Sequence, residues 1–339
     1  MTSRNNSLHA SRARHSAGVT LVELMVALAI GSFLIIGAVQ IAAQSRHAFR
    51  VNESIAKVQE IAQFAIDTIE ADLRMASNWG NTSRADAIEG RALLVGTAGE
   101  DPDPMDLLPA AAETCGAAWA LHLTRPVEGS DNSYALPCAA TPAGAEQANS
   151  DVLTIRRATL DPVAPVNGRV QIQTSRVQGQ LFRDGNVPAG FDTANSTTHD
   201  LLVNSYYVAD SSELIPGVPT LRRKTLTVDS GAPAIQDLEV APGVENIQVQ
   251  FGIDVDQDND VDRYVNPGAA ILDPAHADFV AAARIMTARI WLVIRSIDRE
   301  NGIVDTRDYE PGNVDLGVPG DDFRRLQVSK TILLRNTRT

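Results

Sequence analysis

The sequence predicts an α+β fold in which one long N-terminal helix packs on an antiparallel β-sheet. Residues 19–43 are almost continuously apolar, and residues 55–73 repeat apolar side chains at steps of three and four. Beyond residue 150, short segments alternate apolar and polar side chains. The first two patterns are typical of a helix, and the third is typical of strands. Because no helical pattern separates the strands, we expect them to pair antiparallel, with the helix over one face.

The apolar run contains one charged residue, Glu23, and is long enough to cross a membrane once. The helix is expected to continue past the run as an amphipathic segment and to stop near Asn78 and Gly80. No other stretch of the sequence has 18 consecutive apolar residues. The expected division of the chain is a leader at 1–18, a membrane or filament-core segment at 19–45, an amphipathic helix at 46–78, and a β-rich head at 79–339.

Beyond residue 150, the head is predicted to contain seven strands. The strand around Trp291 is apolar on both faces, which is typical of the centre of a sheet. The basic runs Arg156–Arg157 and Arg222–Arg223–Lys224 are interpreted as charged strand faces. The expected strands are 152–157, 170–173, 201–208, 221–228, 247–251, 290–294 and 326–334.

Residues 79–150 are rich in glycine, proline and alanine, and are predicted to form long loops with one short strand near Trp119–Leu123. The two cysteines of the chain, Cys115 and Cys138, both lie in this region. An isolated pair in an exported protein favours a disulfide, which would stabilise the fold by roughly 3 kcal/mol. Two unpaired buried thiols are the alternative.

The charge of the chain excludes some functions. The formal charge is −13, and it becomes −16 once the leader, with three arginines and no acidic residue, is removed. Nucleic acid is therefore not an expected partner, because phosphate binding needs clustered Lys and Arg. Positive charge before the apolar run, with none after it until Arg46, predicts a cytoplasmic leader and a head outside the cytoplasm.

The junction of leader and apolar run resembles the class III signal of type IV pilins and pseudopilins. Gly18 ends the polar leader, and Glu23 is the fifth residue counted from Val19. The resemblance implies that a prepilin peptidase cleaves after Gly18 and that Val19, where the family usually has Phe, becomes the methylated N-terminus. An ordinary secretory signal would instead have a small-residue cleavage site after the apolar run.

Glu23 lies at the head of an otherwise uncharged segment, where a carboxylate costs roughly 2.5–3.5 kcal/mol on insertion scales. The resemblance implies that it pairs with the N-terminal amine of a neighbouring subunit and sets the helices in register. A paired buried carboxylate is tolerated, whereas an unpaired one is not. The alternative is a carboxylate that reaches water at the membrane surface.

Several segments of the head resemble the PilW family of minor pilins. They are 151–157, the strand with Tyr206–Tyr207, 244–252 with the acidic loop after it, 289–295 and the closing 333–336. This resemblance implies a minor pilin of the type IV pilus, which primes or joins the filament and presents its head near the tip. It implies as partners other minor pilins, the major pilin, the prepilin peptidase and a large tip adhesin. No catalysis and no required cofactor are expected.

An acidic loop follows the strand at 247–251. Alternate aspartates resemble the first half of a calcium-binding loop, although Asn259 replaces the glycine and Val265 replaces the bidentate glutamate of an EF-hand. A calcium site and a solvated acidic turn are both compatible with this pattern. The candidate ligands are Asp254, Asp256, Asp258, Asp260 and Asp262.

Two other functions are the alternatives. One is a minor pseudopilin of a type II secretion system, which shares the signal. The other is an exported enzyme or binding domain that uses the helix only as a membrane tether. The second alternative needs a recognisable site, and the sequence has no G-x-S-x-G, Walker A or H-E-x-x-H motif.

Overall fold

A computed structural model describes residues 18–92, 108, 115, 119–140 and 144–337. The predicted leader, apart from Gly18, and most of the loop region between 93 and 118 lie outside the described residues. The chain divides into two units, Met1–Glu53 and Ser54–Thr339.

One α-helix, α1, runs from Leu21 to Met75. No proline interrupts its sequence, so its hydrogen-bond ladder can continue over 55 residues. It ends where Ser77 and Gly80 take positive φ angles of 64° and 88°, a backbone conformation that stops a helix. Gly80 has no alternative, since a Cβ there would lie 2.5 Å from the His199 ring. The predicted stop near residue 78 is confirmed to within three residues.

Within the described residues, twelve strands follow in two sheets, and most pair antiparallel. The strands are β1 (Ile88–Glu89), β2 (Val127–Ser130), β3 (Val152–Ala158), β4 (Asn167–Thr174), β5 (Gly179–Asp184), β6 (Thr197–Ala209), β7 (Thr220–Asp229), β8 (Ala232–Pro242), β9 (Val244–Asp254), β10 (Arg263–Val265), β11 (Arg284–Arg295) and β12 (Arg325–Leu333). The first sheet has the order β1-β5-β4-β6-β3-β2, with β7 on β6 and β8 on β7. The second sheet has the order β10-β9-β11-β12.

The predicted α+β class is confirmed, with corrections. The strands form two sheets instead of one, and β1 pairs parallel with β5. Trp119–Leu121 is a 3₁₀ turn and not a strand, while β1, β2, β5, β8 and β10 were not predicted. The apolar strand around Trp291 is β11, which lies between β9 and β12 as a central strand should.

The main hydrophobic core lies between the C-terminal half of α1 and the second sheet. The helix buries one stripe of side chains, which are Val58, Ala62, Ala65, Ile66, Ile69 and Leu73. They pack on inward-facing residues of β9 and β11 such as Ile247, Val249, Ile290 and Leu292. Steps of three and four along the helix bring these side chains to one face, so the predicted amphipathic stripe is confirmed.

Candidate functional site: the N-terminal helix, its anchor and the acidic loop

The apolar part of α1 has no protein cover among the described residues. Side chains from Val19 to Ile41 are exposed, including Phe33 at 75% and Leu28 at 66%. The helix is long and apolar enough to cross a membrane. A soluble monomer does not leave an apolar surface of this extent in water, so lipid or other subunits must cover it.

Glu23 forms a reciprocal cap with Thr20 at the start of α1. The Thr20 amide and hydroxyl both donate to Glu23 Oε2, at 3.1 and 3.2 Å, and the Glu23 amide donates to Thr20 Oγ1 at 3.3 Å. This is a capping box, which satisfies two amide donors at a helix N-terminus. The sequence signal for this cap is the Thr-x-x-Glu spacing of residues 20–23. Glu23 Oε1 accepts no hydrogen bond from the described residues.

The C-terminal half of α1 is fixed to the first sheet by a buried carboxylate. Asp72 Oδ1 accepts from Arg157 Nε and Nη2 at 2.9 and 2.7 Å. Asp72 Oδ2 accepts from Asn204 Nδ2 and Tyr206 Oη, both at 2.6 Å. Burial, followed by the negative charge of Asp72, raises the pKa of Tyr206. Tyr206 therefore stays protonated and donates at any physiological pH.

Glu70 also lies inside the interface between helix and sheet, where it bonds Lys330 of β12 and Arg74. The hydrogen bond from Lys330 holds the pKa of Glu70 below its usual value. The spacing of the apolar residues along α1 gives no sign that Glu70 is buried. An acidic residue on the flank of a buried stripe can turn inward when a lysine on the facing strand supplies the counter-charge.

Two arginines that were interpreted as exposed charges are buried. Arg156 is 0% exposed and donates to the carbonyls of Trp119 and Arg125 and to Glu128. Arg222 is 1% exposed and pairs with Asp237 and Glu213, both at 2.8 Å. The interpretation as charged strand faces failed because the acidic partners of these arginines lie in other segments of the chain. The periodicity of a single strand gives no sign of such ion pairs.

The two cysteines form the predicted disulfide, with a Cα–Cα distance of 4.3 Å. Cys115 is buried in the second hydrophobic cluster, with Trp119, Leu121 and Leu123 among its members. The bridge therefore fastens the loop-rich region to the side of the head formed by β4, β5 and β6.

The acidic loop between β9 and β10 brings three carboxylates together. Ligand oxygens of Asp254, Asp256 and Asp262 lie within 4.8 Å of one another. Asp254 is buried, whereas Asp256 and Asp262 are more accessible. Asp258 and Asp260, which were also candidate ligands, are not in this cluster.

Backbone amides already occupy part of the lone-pair capacity of these carboxylates. Asp254 accepts from the amides of Gln257 and Asn259 at 2.6 and 3.0 Å, and Asp262 accepts from Val255 at 2.7 Å. Gln257 and Asn259 have φ angles of 67° and 71°. The loop is thus a folded turn around Asp254, which is a more ordered arrangement than a solvated acidic turn.

Two family models match the chain. A prokaryotic N-terminal methylation motif matches residues 13–39, which include Gly18, Val19 and Glu23. The model of the type IV pilus-assembly protein W, PilW, matches residues 205–336, from β6 to the residues just after β12. The chain is a type IV pilus minor pilin of the PilW family.

Among solved structures, a type IV-like pilin from Thermus thermophilus matches at 14% identity. The match covers 59% of this chain and 82% of the other, with a TM-score of 0.25. No curated protein matches the chain.

The PilW match includes the acidic loop and Tyr206, which donates a hydrogen bond to Asp72. The disulfide lies outside the match, in the part of this PilW-family chain where the sequence pattern was weakest. The methylation motif and the apolar helix together make it a membrane-anchored pilin.

Proposed function

We propose that this minor pilin is cleaved between Gly18 and Val19, methylated on Val19, and held in the inner membrane by residues 19–45 with its head in the periplasm. It then joins or primes the type IV pilus. The match to the methylation motif supports the cleavage site. The arginines before the apolar run, with no acidic residue among them, support the orientation.

One observation carries this proposal. From Val19 to Ile41 the helix exposes apolar side chains to every side, and the single charge in that stretch is Glu23 at its start. A membrane anchor needs only the apolar surface. The cap with Thr20 uses only one oxygen of this carboxylate. Its negative charge is tolerated in an apolar surrounding when a cation meets it, and the amine of a methylated neighbouring N-terminus is a cation of the right kind.

The role proposed for Glu23 fits its contacts. Its Oε2 atom is used by the Thr20 cap, and Oε1 remains available to a cation from another chain. Pairing of this kind would place each helix at a fixed height relative to its neighbour. The proposed partners are other minor pilins, the major pilin, the prepilin peptidase and a large adhesin at the pilus tip.

The proposed role is structural, without catalysis, a required cofactor or nucleic acid. A minor pseudopilin of type II secretion and a tethered enzyme are the alternative functions. The family matches favour neither of them.

The experiment is mass spectrometry of the chain purified from its own membranes, combined with immunodetection in sheared pili. We expect a mature N-terminus at Val19 carrying one methyl group, and the protein in the sheared fraction. An intact leader, or cleavage after the apolar run, would contradict the proposal. A mature protein that never enters sheared filaments would favour the secretion-system alternative.

A second proposal concerns calcium. The convergence of Asp254, Asp256 and Asp262 favours a weak cation site of the kind that extracellular modules use, with a Kd of about 10⁻⁴–10⁻³ M. Bound calcium would then stiffen the loop between β9 and β10. Its test is the last prediction of the Discussion.

A further inference from the structure

The last strand of the second sheet, β12, has an open edge. Leu334 donates to the Met286 carbonyl at one end, and Ser296 donates to the Arg324 carbonyl at the other. Even-numbered residues of β12 therefore direct their backbone groups towards β11, because lateral direction alternates along a strand. The odd-numbered residues therefore point their backbone groups away from β11. At the start of the strand the Arg325 carbonyl accepts from Arg307 Nη2 at 2.5 Å. The outward amides and carbonyls of Gln327, Ser329, Thr331 and Leu333 have no bond to any described residue.

This edge lacks the features that normally protect edge strands, which are proline, short length and outward charge. β12 has nine residues and no proline. Its only lysine, Lys330, is turned inward to Glu70 and Asp67 of α1. By contrast, the other long edge strand, β8, contains Pro233 and Pro242.

An apolar groove runs beside the open edge. Its floor is formed by Ala62 and Ile66 of α1 together with Leu326 and Val328 of β12, and it has a volume of about 550 Å³. Gln59 and Gln63 form the helical wall. Among the described residues that line the groove, the cation is Lys330, which is already neutralised by two carboxylates. The groove therefore suits an uncharged side chain.

We propose that β12 accepts an extended strand donated by a different subunit of the pilus. The strand would be about seven residues long and would bond to the outward backbone groups of β12. Its alternate side chains would be apolar and would enter the groove beside α1. Main-chain hydrogen bonds would supply affinity, and the groove would supply specificity. The identity of the donor as a pilus subunit rests on the proposed function.

A second copy of this chain is a poor occupant. Two β12 edges paired antiparallel would place their α1 helices in opposite directions, which two subunits anchored in one membrane cannot adopt.

The first test is amide hydrogen exchange on the full-length chain, alone and in the detergent-solubilised complex formed when it is co-expressed with the other pilins of its own pilus. The four outward amides should exchange at least tenfold more slowly in the complex. The inward amides of Leu326, Val328 and Lys330 should change little. A complex that contains other pilins but leaves the outward amides unprotected would overturn the inference while leaving the proposed function intact. Failure to form any such complex would overturn both.

The second test uses two variants of one residue. Ser329→Pro removes an outward amide without touching the ladder to β11, whereas Ser329→Ala keeps that amide and removes only the hydroxyl. We expect Ser329→Pro to lower recovery in the complex at least tenfold and Ser329→Ala to leave it within twofold of wild type. Equal recovery of both variants would contradict strand addition.

If Ser329→Pro melts more than a few degrees below wild type, Thr331→Lys takes its place, because it adds outward charge and keeps every backbone donor. A complex that contains only copies of this chain would also overturn the inference.

Discussion

The Tyr206 hydroxyl donates a 2.6 Å hydrogen bond to Asp72 and so connects β6 of the first sheet with the last turns of α1. The same carboxylate receives Arg157 and Asn204, so three side chains of the first sheet meet one acidic residue of the helix. Apolar packing alone would let the helix slide or rotate on the second sheet. The directional bonds to Asp72 fix its position.

We predict that Asp72→Asn lowers the free energy of unfolding by about 3 kcal/mol, because it leaves the Arg157 guanidinium half-buried without its counter-charge. The measurement is denaturant unfolding of the full-length chain in detergent. The matched control is Asp67→Asn, which changes an exposed carboxylate about one and a half turns earlier in α1. It should alter stability by less than about 0.5 kcal/mol. Equal effects of the two variants would show that the contacts of Asp72 carry no special stability.

The apolar half of this arrangement could be predicted from the sequence, and the polar half could not. The spacing of Val58 and Ile69 predicts that both are buried, because a helix of 3.6 residues per turn puts them on the same face. Asp72 and Arg157 are 85 positions apart. Their pairing depends on the tertiary arrangement of helix and sheet, so no local pattern reports it.

The same reason explains the missed strands. β8 carries Pro233, Pro242 and two acidic residues, a composition that argues against a strand, and it exists because β7 offers a complete ladder on one side. The acidic loop was predicted as a feature, but its geometry was not. The positive φ angles of Gln257 and Asn259 decide which aspartates converge. These angles could not be predicted, because neither residue is a glycine.

For Glu23, we predict that Glu23→Gln and Glu23→Ala both reduce the amount of this pilin in sheared filaments by tenfold or more. Glutamine can keep the capping box with Thr20 but cannot attract a cation. The pair of variants therefore separates the cap from the charge. Normal incorporation of Glu23→Gln together with loss of Glu23→Ala would assign Glu23 to helix capping alone. Unchanged incorporation of both would mean that the carboxylate only meets water.

The disulfide should contribute to the stability of the head. We predict that the free energy of unfolding of the double variant Cys115→Ser/Cys138→Ser is about 3 kcal/mol lower than that of the wild type, because the bridge closes a loop between residues 23 positions apart. Non-reducing peptide mapping of the exported protein should first find one linked peptide pair. Two free thiols there, or equal stability of the wild type with and without reductant, would contradict this prediction.

Asp151 should make the stability depend on pH. Its carboxylate is buried between the sheets and accepts from the amides of Asn132 and Val249 at 2.8 and 2.7 Å. Burial raises the pKa of Asp151 to about 7, and the nearby Asp131 acts in the same direction. Because this value lies above the unfolded value of about 3.9, the stabilisation is complete below pH 4 and is lost as the pH rises through 7.

We therefore expect the unfolding free energy of the wild type to fall between pH 6 and 8 relative to that of Asp151→Asn, which cannot ionise there. Denaturant unfolding of both proteins at pH 6, 7 and 8 measures this difference. The comparison cancels the other carboxylates, such as Glu70 and Asp321, whose pKa values are lowered and which titrate at lower pH. A difference that does not vary over this range would contradict the prediction.

The acidic loop provides the last prediction. Asp254, Asp256 and Asp262 place carboxylate oxygens within 4.8 Å of one another, which costs free energy unless water or a cation screens the charges. Calcium suits such a site because it accepts many carboxylate and carbonyl oxygens in flexible geometry, whereas magnesium keeps most of its waters. At 10 mM calcium and a Kd of about 1 mM, binding would add about 1.4 kcal/mol to the unfolding free energy.

Calorimetric titration and thermal melting of the full-length chain in detergent measure this effect. Asp262→Asn should abolish both the heat and the rise in Tm, because it removes a charged ligand while its amide oxygen can still accept from Val255. Asp260→Asn is the matched control, since Asp260 lies in the same loop but outside the cluster of converging oxygens. Loss of binding in both variants would point to the net charge of the loop rather than to a defined cage. The absence of heat and of a Tm shift in the wild type at 10 mM calcium would mean that the backbone amides of the loop already satisfy these carboxylates.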